Sequence, residues 1–341
     1  KNIVGVTETD DDANILLTVS DSSTINYVTA IVDINGNEIE VSTQNQNNIS
    51  DLVNGTVLKI YTDPQKVTNL KLTGHEIEEL PPGVIFSNAS GVDCNLKDNS
   101  FTTFPDLKKQ FPNFKKFNLS QDVNKQGPIV KMDIEFAELK SKLPNDITEL
   151  NLGNAFIDFD AATSDSPLAP NEFNLAPFDK LTVLNLSRCG TGEGAGSFPT
   201  PAISTTVETL RLNKNSYSLL DEATLPTGNS LKIINLEENK SLVTTPDSPP
   251  VHKFYVNGTY SNDLEEMDVG TTKLGIPNLS GKTNLKNFYG DNMKYDENTP
   301  PNSPGEGEFN DERFQLAPNQ ISKFANCTAL QSITLNGSDV H

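Results

Sequence analysis

Apolar residues recur along most of this chain in one nine-residue frame, L-x-x-L-x-L-x-x-N/C. It is clearest from Leu181 to Cys189 (LTVLNLSRC) and returns from Val67 (VTNLKLTGH), Phe114 (FKKFNLSQD), Ile147 (ITELNLGNA), Val207 (VETLRLNKN) and Leu231 (LKIINLEEN). Weaker copies start at Gly91, Val251, Leu285 and Leu330. The fourth and sixth positions alternate as in a strand with one buried face, because successive side chains point to opposite sides of a strand. Each copy therefore predicts one short strand, with the first apolar residue a bend upstream.

The fourth position falls at Leu70, Cys94, Phe117, Leu150, Leu184, Leu210, Ile234, Phe254, Phe288 and Ile333. Most neighbouring copies are separated by the roughly 20–29 residues of a coil that climbs one strand spacing per turn. Longer intervals place insertions near 123 to 146, 155 to 180, 259 to 284 and 290 to 329. Leu264, Met267 and Val269 read either as a further strand or as an elaborated return segment. One coil buries only a handful of apolar side chains, each contributing about 1.5–3 kcal/mol, while ordering its backbone costs about 1–2 kcal/mol per residue. A coil cannot fold alone; it needs a neighbour on each side, and stability becomes a sum of interfaces along the array.

These frames resemble the leucine-rich repeat superfamily, in the loose form of bacterial and phage surface proteins, over residues 67 to 341. The resemblance implies a fold that is mostly β with some α: a horseshoe solenoid of about ten coils over residues 63–341, with an irregular convex side. The ninth position departs from the family pattern. Asn99, Asn215, Asn239 and Cys189 fit it, whereas His75, Asp122, Ala155, Thr259, Met293 and Ser338 do not, so the ladder of side chains bonding loop backbone is expected to be broken.

Residues 1–62 have a different character from the repeat region. ILLTVS from Ile15, VTAIVDI from Val28, NEIEVS from Asn37 and TVLKIYT from Thr56 are β-branched and partly alternating, and Asn35-Gly36 is a hairpin turn dipeptide. They predict a small antiparallel β domain that caps the apolar end of the solenoid. Ile134 to Leu143 is the best helix candidate, closed by Pro144. Phe173 to Pro177 echoes Phe314 to Pro318, suggesting one extended repeat type used twice, and the Pro-, Gly- and acid-rich run 296–307 reads as an exposed loop.

A formal charge of −20 argues against nucleic acid and against an anionic membrane surface, both of which select clustered Lys and Arg. No apolar run approaches the roughly 18 residues of a spanning helix, so membrane insertion is not expected. The three cysteines fall in different coils, too far apart for a disulfide, and are expected to be free. The opening at Lys1 and the lack of a polar capping segment near the end suggest a native chain that continues beyond these residues.

The candidate chemistry lies in the column between the fourth and sixth positions, which faces the concave side: Lys71, Asn95, Asn118, Asn151, Asn185, Arg211, Asn235, Tyr255, Tyr289 and Thr334. Stacked amides can bond to one another along a ladder, which is the plain explanation. Alternatively Asn151, Asn185, Arg211, Asn235, Tyr255 and Tyr289 form a ligand face, since aromatic faces and bidentate donors suit sugars or peptides. Asp122, Asn124, Gln126 and Asp133 imitate a calcium loop with Gly127 at the turn. Gln126 and Asp133 replace its preferred acid ligands, so a polar inter-coil loop is the better reading and no metal or cofactor is expected. His75, His252 and His341 stand in no frame with a nucleophile and an acid, and no phosphate-binding glycine loop precedes a helix. The expectation is a non-enzymatic recognition or adhesion module for protein or glycan, extracellular, on a cell surface or virion. The alternative is a structural subunit, spacer or coat component of a virion, filament or surface layer, with homo-oligomers or larger assemblies open.

Overall fold

The computed structural model describes residues 64–74, 77–80, 84–122, 136–155, 174–189, 201–215, 230–240, 261–272, 276–292 and 321–336, with short strands and single residues elsewhere. The chain divides into two compact units, Lys1–Glu193 and Gly194–His341.

In the first unit the early residues supply β1 (Val6–Asp10), β2 (Asn14–Val19), β3 (Ser23–Ile25), β4 (Ala30–Val32) and β5 (Leu58–Thr62). Four of these pair antiparallel in the order β1-β2-β5-β4. The segments around Asn35-Gly36 and Asn37 lie outside the described residues. The frames supply β6 (Asn69–Leu72), β7 (Asp93–Asn95), β8 (Lys116–Asn118), β10 (Glu149–Asn151) and β12 (Val183–Asn185), and between them come β9 (Met132–Asp133) and β11 (Ile157–Asp158), a parallel pair. β6, β7, β8, β10 and β12 pair parallel in that order, so Leu70, Cys94, Phe117, Leu150 and Leu184 lie opposite one another. β3 pairs antiparallel with β6, closing that edge of the ladder with a strand from the first 62 residues. Among the described residues of this unit two short helices stand on return segments: α1 (Leu107–Gln110), which the sequence pattern does not predict, and α2 (Phe136–Lys142), inside the predicted stretch. The Asp106 carboxylate caps α1 by accepting from Lys109 N at 2.9 Å, satisfying a donor that the helix leaves open.

The second unit holds β13 (Thr209–Arg211), β14 (Ile233–Asn235), β15 (Glu266–Asp268), β16 (Asn287–Tyr289) and β17 (Ser332–Thr334), parallel in sequence order. Met267 lies opposite both Ile234 and Phe288. The ambiguous segment at Leu264 is thus a strand of the ladder. The expected strand at Phe254 has no place between β14 and β15, and residues 251–260 lie outside the described residues. Each unit is β-rich and solenoid-like, with few helices.

The core follows the frame. Leu181, Leu184 and Leu186 are wholly buried, as are Val207, Leu210 and Leu212 in the second unit. Gly91, where a leucine is expected, is explained by its neighbour: a Cβ there would lie 2.4 Å from the Phe114 ring. Phe114 fills the vacated volume and packs edge-on against Phe111, which in turn stacks on Phe86 at 5.0 Å.

Two further positions carry regular work. The eighth turns the chain out of the strand in a left-handed conformation, at Gly74, Asp98, Asn154 and Arg188 in the first unit and at Lys214, Glu238, Thr271 and Asn292 in the second. Its N–H donates to the seventh-position carbonyl of the next coil, as in Asn154 to Ser187 (2.8 Å) and Glu238 to Gly270 (2.8 Å). That bond offsets a conformational cost of about 1–2 kcal/mol for a non-glycine residue. The ninth position ties coils together where its side chain permits. The Asn99 amide donates to Leu72 O at 2.6 Å and Leu96 O at 2.8 Å, and Asn239 does the same to Leu212 O and Leu236 O. Cys189 Sγ–H donates to Leu152 O at 2.9 Å, and Thr272 bonds Val269 O at 2.7 Å. Thr272 is thus the ninth-position residue of the β15 coil. Ala155 has only its backbone to offer, and His75, Thr259, Met293 and Ser338 lie outside the described residues. Cys94 and Cys189 are buried and Cys327 half-buried, all as free thiols.

Candidate ligand face

The fourth-position residue of each strand is buried and its two neighbours are half-exposed in β7, β8, β10, β12, β14, β15 and β16. Alternation therefore puts the third and fifth positions on one solvent-facing side. The fifth-position asparagines do not bond to one another along the ladder through their oxygens. Instead each carbonyl oxygen accepts the N–H two residues on: Asn95 from Lys97 (3.1 Å), Asn118 from Ser120 (3.0 Å), Asn151 from Gly153 (3.0 Å), Asn185 from Ser187 (3.0 Å) and Asn235 from Glu237 (3.0 Å). This is an Asx turn, in which a short amide side chain imitates a backbone turn and ends the strand. The Ser120 and Ser187 hydroxyls add donors to the same oxygens, each at 2.6 Å.

In the first unit Asn151 and Asn185 are direct partners across β10 and β12. Lys71, exposed, begins the column. The third-position side chains beside it are Asp93, Lys116, Glu149 and Val183, and the Lys116 ammonium is ion-paired with Glu149. Burial pushes the Asp93 carboxyl above its usual range, opposed by the Lys116 charge.

In the second unit the column reads Arg211, Asn235, Asp268, Tyr289, Thr334. Arg211 is exposed and lies opposite Asn235, while Tyr289 lies opposite Asp268 and is half-exposed. Tyr255 lies outside the described residues, and the place after Asn235 belongs to Asp268. That aspartate builds the same turn as its asparagine counterparts, accepting from Gly270 N at 3.0 Å, and its other oxygen accepts from the Asn235 amide at 3.5 Å. Burial first, then the neighbouring Glu237, Glu266 and Asp291 charges, push its pKa up to about 6. The sequence signal for Asp268 lies in Leu264, Met267, Val269 and Thr272, a complete frame.

Asp122 is exposed, its N–H donating to the Asp98 carboxylate. Asn124 and Gln126 lie outside the described residues, and Asp133 has its backbone in β9, opposite Asp158. Among the described residues no cluster of three or more His, Cys, Asp or Glu side chains is placed to hold a metal ion, and no helix is long and apolar enough to cross a membrane.

No protein-family model and no curated protein matches this chain.

Proposed function

We propose that this protein is a non-enzymatic recognition or adhesion module of the leucine-rich-repeat type, acting outside the cell on a cell surface or virion. It takes protein or glycan on the solvent-facing side of its strand ladder. The observation that carries this reading is the fifth-position column. It has half-exposed polar side chains at strand spacing, held by turns of their own backbone on strands whose opposite face is packed core. A rigid array of that kind is pre-organised for a ligand, which lowers the ordering cost of binding.

The test is binding of the labelled chain to a glycan array and to intact bacterial and eukaryotic cells. Replacing Asn151 and Asn185, or Arg211 and Tyr289, by alanine is expected to abolish a specific signal while the thermal melt keeps its cooperativity. Signals unchanged by both pairs would refute the reading.

One observation favours the structural alternative. At β17 all three residues, Ile333 included, are half-buried where other fourth-position residues are fully buried. Among the described residues β17 also forms the edge of its ladder. A spacer or coat subunit would assemble through such an edge. Concentration-dependent sedimentation abolished by Ile333→Lys, with the face variants silent, would select it.

A further inference from the structure

The net charge of −20 is not spread evenly along the chain, for residues 107–145 carry eight lysines against four carboxylates. This stretch supplies α1 and α2, on successive return segments of the first unit. Each helix buries an apolar side and leaves lysine outside. In α1 Leu107 and Gln110 are buried while Lys108 and Lys109 are exposed. In α2 Leu139 is buried, as is Leu143 one turn on, while Lys140 and Ser141 are exposed. Between the two helices and the bend at 175–178, which precedes β12, lies a cavity of about 310 Å³ lined by Lys108, Lys140, Ser141, Asn145, Pro177 and Phe178. Asn145 holds one wall, its amide oxygen accepting from the Lys108 ammonium at 3.2 Å. Phe178 is buried and, with Pro177, gives the cavity an apolar side.

Among the described residues no carboxylate lines this cavity, and neither Lys108 nor Lys140 is ion-paired. The described acids that flank the lining residues in sequence are engaged elsewhere. Asp106 caps α1, Asp146 is ion-paired with Lys180 at 2.7 Å, and Asp179 acts on that same Lys180 ammonium. A concave site walled by charge of one sign concentrates the opposite ion.

We infer that this cavity binds a small phosphate or sulfate ester, its oxyanion between the Lys108 and Lys140 ammonium groups and its apolar part against Pro177 and Phe178. A tetrahedral oxyanion presents acceptor oxygens in several directions, which suits donors brought together from two helices and a loop. The volume lies at the lower end of ligand sites, which limits the ester to about one ring. None of the lining residues belongs to the strand face, so the inference stands apart from the recognition reading and goes beyond it.

The experiment titrates the whole chain with phenyl phosphate and with phenyl sulfate by calorimetry, beside inorganic phosphate and phenol. One or both esters are expected to bind saturably at one site per chain, more weakly as salt rises. Inorganic phosphate should bind several-fold more weakly and phenol not at all. Lys108→Met and Lys140→Met should each weaken ester binding roughly tenfold, the loss of one charge-assisted contact, while Lys140→Arg retains it. Lys109→Met, on the same helix but outside the lining, should leave it unaltered. Both lysines are exposed, so the melting temperature should hold; if Lys108→Met lowers it by freeing Asn145, Lys140→Met alone decides. The tighter of the two esters identifies phosphate or sulfate as the group the site selects. Absence of saturable ester binding, equal weakening by Lys109→Met, or inorganic phosphate matching phenyl phosphate overturns the inference.

Discussion

The two ladders have interiors built on the same rule and differ on their faces. Inside, both stack apolar fourth-position residues in strict register, Leu70 to Leu184 in the first unit and Leu210 to Ile333 in the second. Outside, the first unit repeats asparagine four times in succession, while the second presents Arg211, Asn235, Asp268, Tyr289 and Thr334. The interior is constrained by stacking, since each coil must match two neighbours. The face is constrained only by the turn it builds, which needs one short side-chain oxygen. Asn and Asp both supply that oxygen, so the identity of the remaining atom is free to answer to something outside the chain. A run of asparagines in one unit and a column of Arg211, Asn235, Asp268, Tyr289 and Thr334 in the other are two uses of that freedom.

The shared interior should break at the largest cost. Leu150→Ala and Met267→Ala are each expected to lose about 2–5 kcal/mol in urea melts. An equal penalty in both units would establish that Met267 is a full ladder residue; a cost below about 1 kcal/mol at Met267 would return the β15 coil to a surface segment. Gly91→Leu restores the consensus yet should destabilise by about 1–3 kcal/mol through overpacking against Phe114. A gain in stability would refute the account of that glycine.

The faces should separate by pH. Asp268 has a folded pKa raised to about 6 from an ordinary 3.8, so the fold binds its proton more tightly than the unfolded chain does. Its protonated form favours folding at low pH, and that advantage is lost as pH rises between these two values. Because the group is partly exposed, the effect is discounted to about 1 kcal/mol. Asp268→Asn keeps the turn, and is expected to gain stability over the native chain as pH rises from about 4 to about 6, a gain that holds at neutral pH and vanishes in acid; the equivalent Asn185→Asp should change neither the turn nor the melt. A difference between Asp268→Asn and the native chain that does not grow across this interval would contradict the assignment.

The smallest expected effect lies at the left-handed turns. Thr271, β-branched with φ 53°, carries the most strain of the set, and Thr271→Gly should gain up to about 1 kcal/mol once glycine's extra unfolded-state entropy is subtracted. Gly74 already occupies the matching place in the first unit, and Gly74→Thr should lose a similar amount.

The repeat frame makes strands and register legible because burial at the fourth and sixth positions leaves a period that no other element shares. Even the weak Gly91 copy is recognisable, although its cause, a phenylalanine one coil on, is a contact that no single frame reveals. The choice between Phe254 and Met267 fails for a different reason. Both sit in apolar alternations, and only pairing with Ile234 and Phe288 decides. The sequence predicts a broken ninth-position ladder in which Cys189 keeps its place, and Thr272, in the segment whose role the sequence leaves open, also bonds a nearby carbonyl, since any donor of suitable length can do so. On the face, the sequence shows which residues share a column and not what their atoms do. The committed oxygen of each asparagine emerges only from the turn geometry.

That commitment is most directly measured by residue-resolved hydrogen exchange at the Gly153 and Ser187 N–H groups. Protection is expected to be equal in the native chain and in Asn151→Asp and Asn185→Asp, and to fall roughly tenfold, the worth of one hydrogen bond, in Asn151→Ala and Asn185→Ala. Protection that survives alanine would show that the oxygens are not bound to their own strand ends, and the account of the column as a series of Asx turns would lose its foundation.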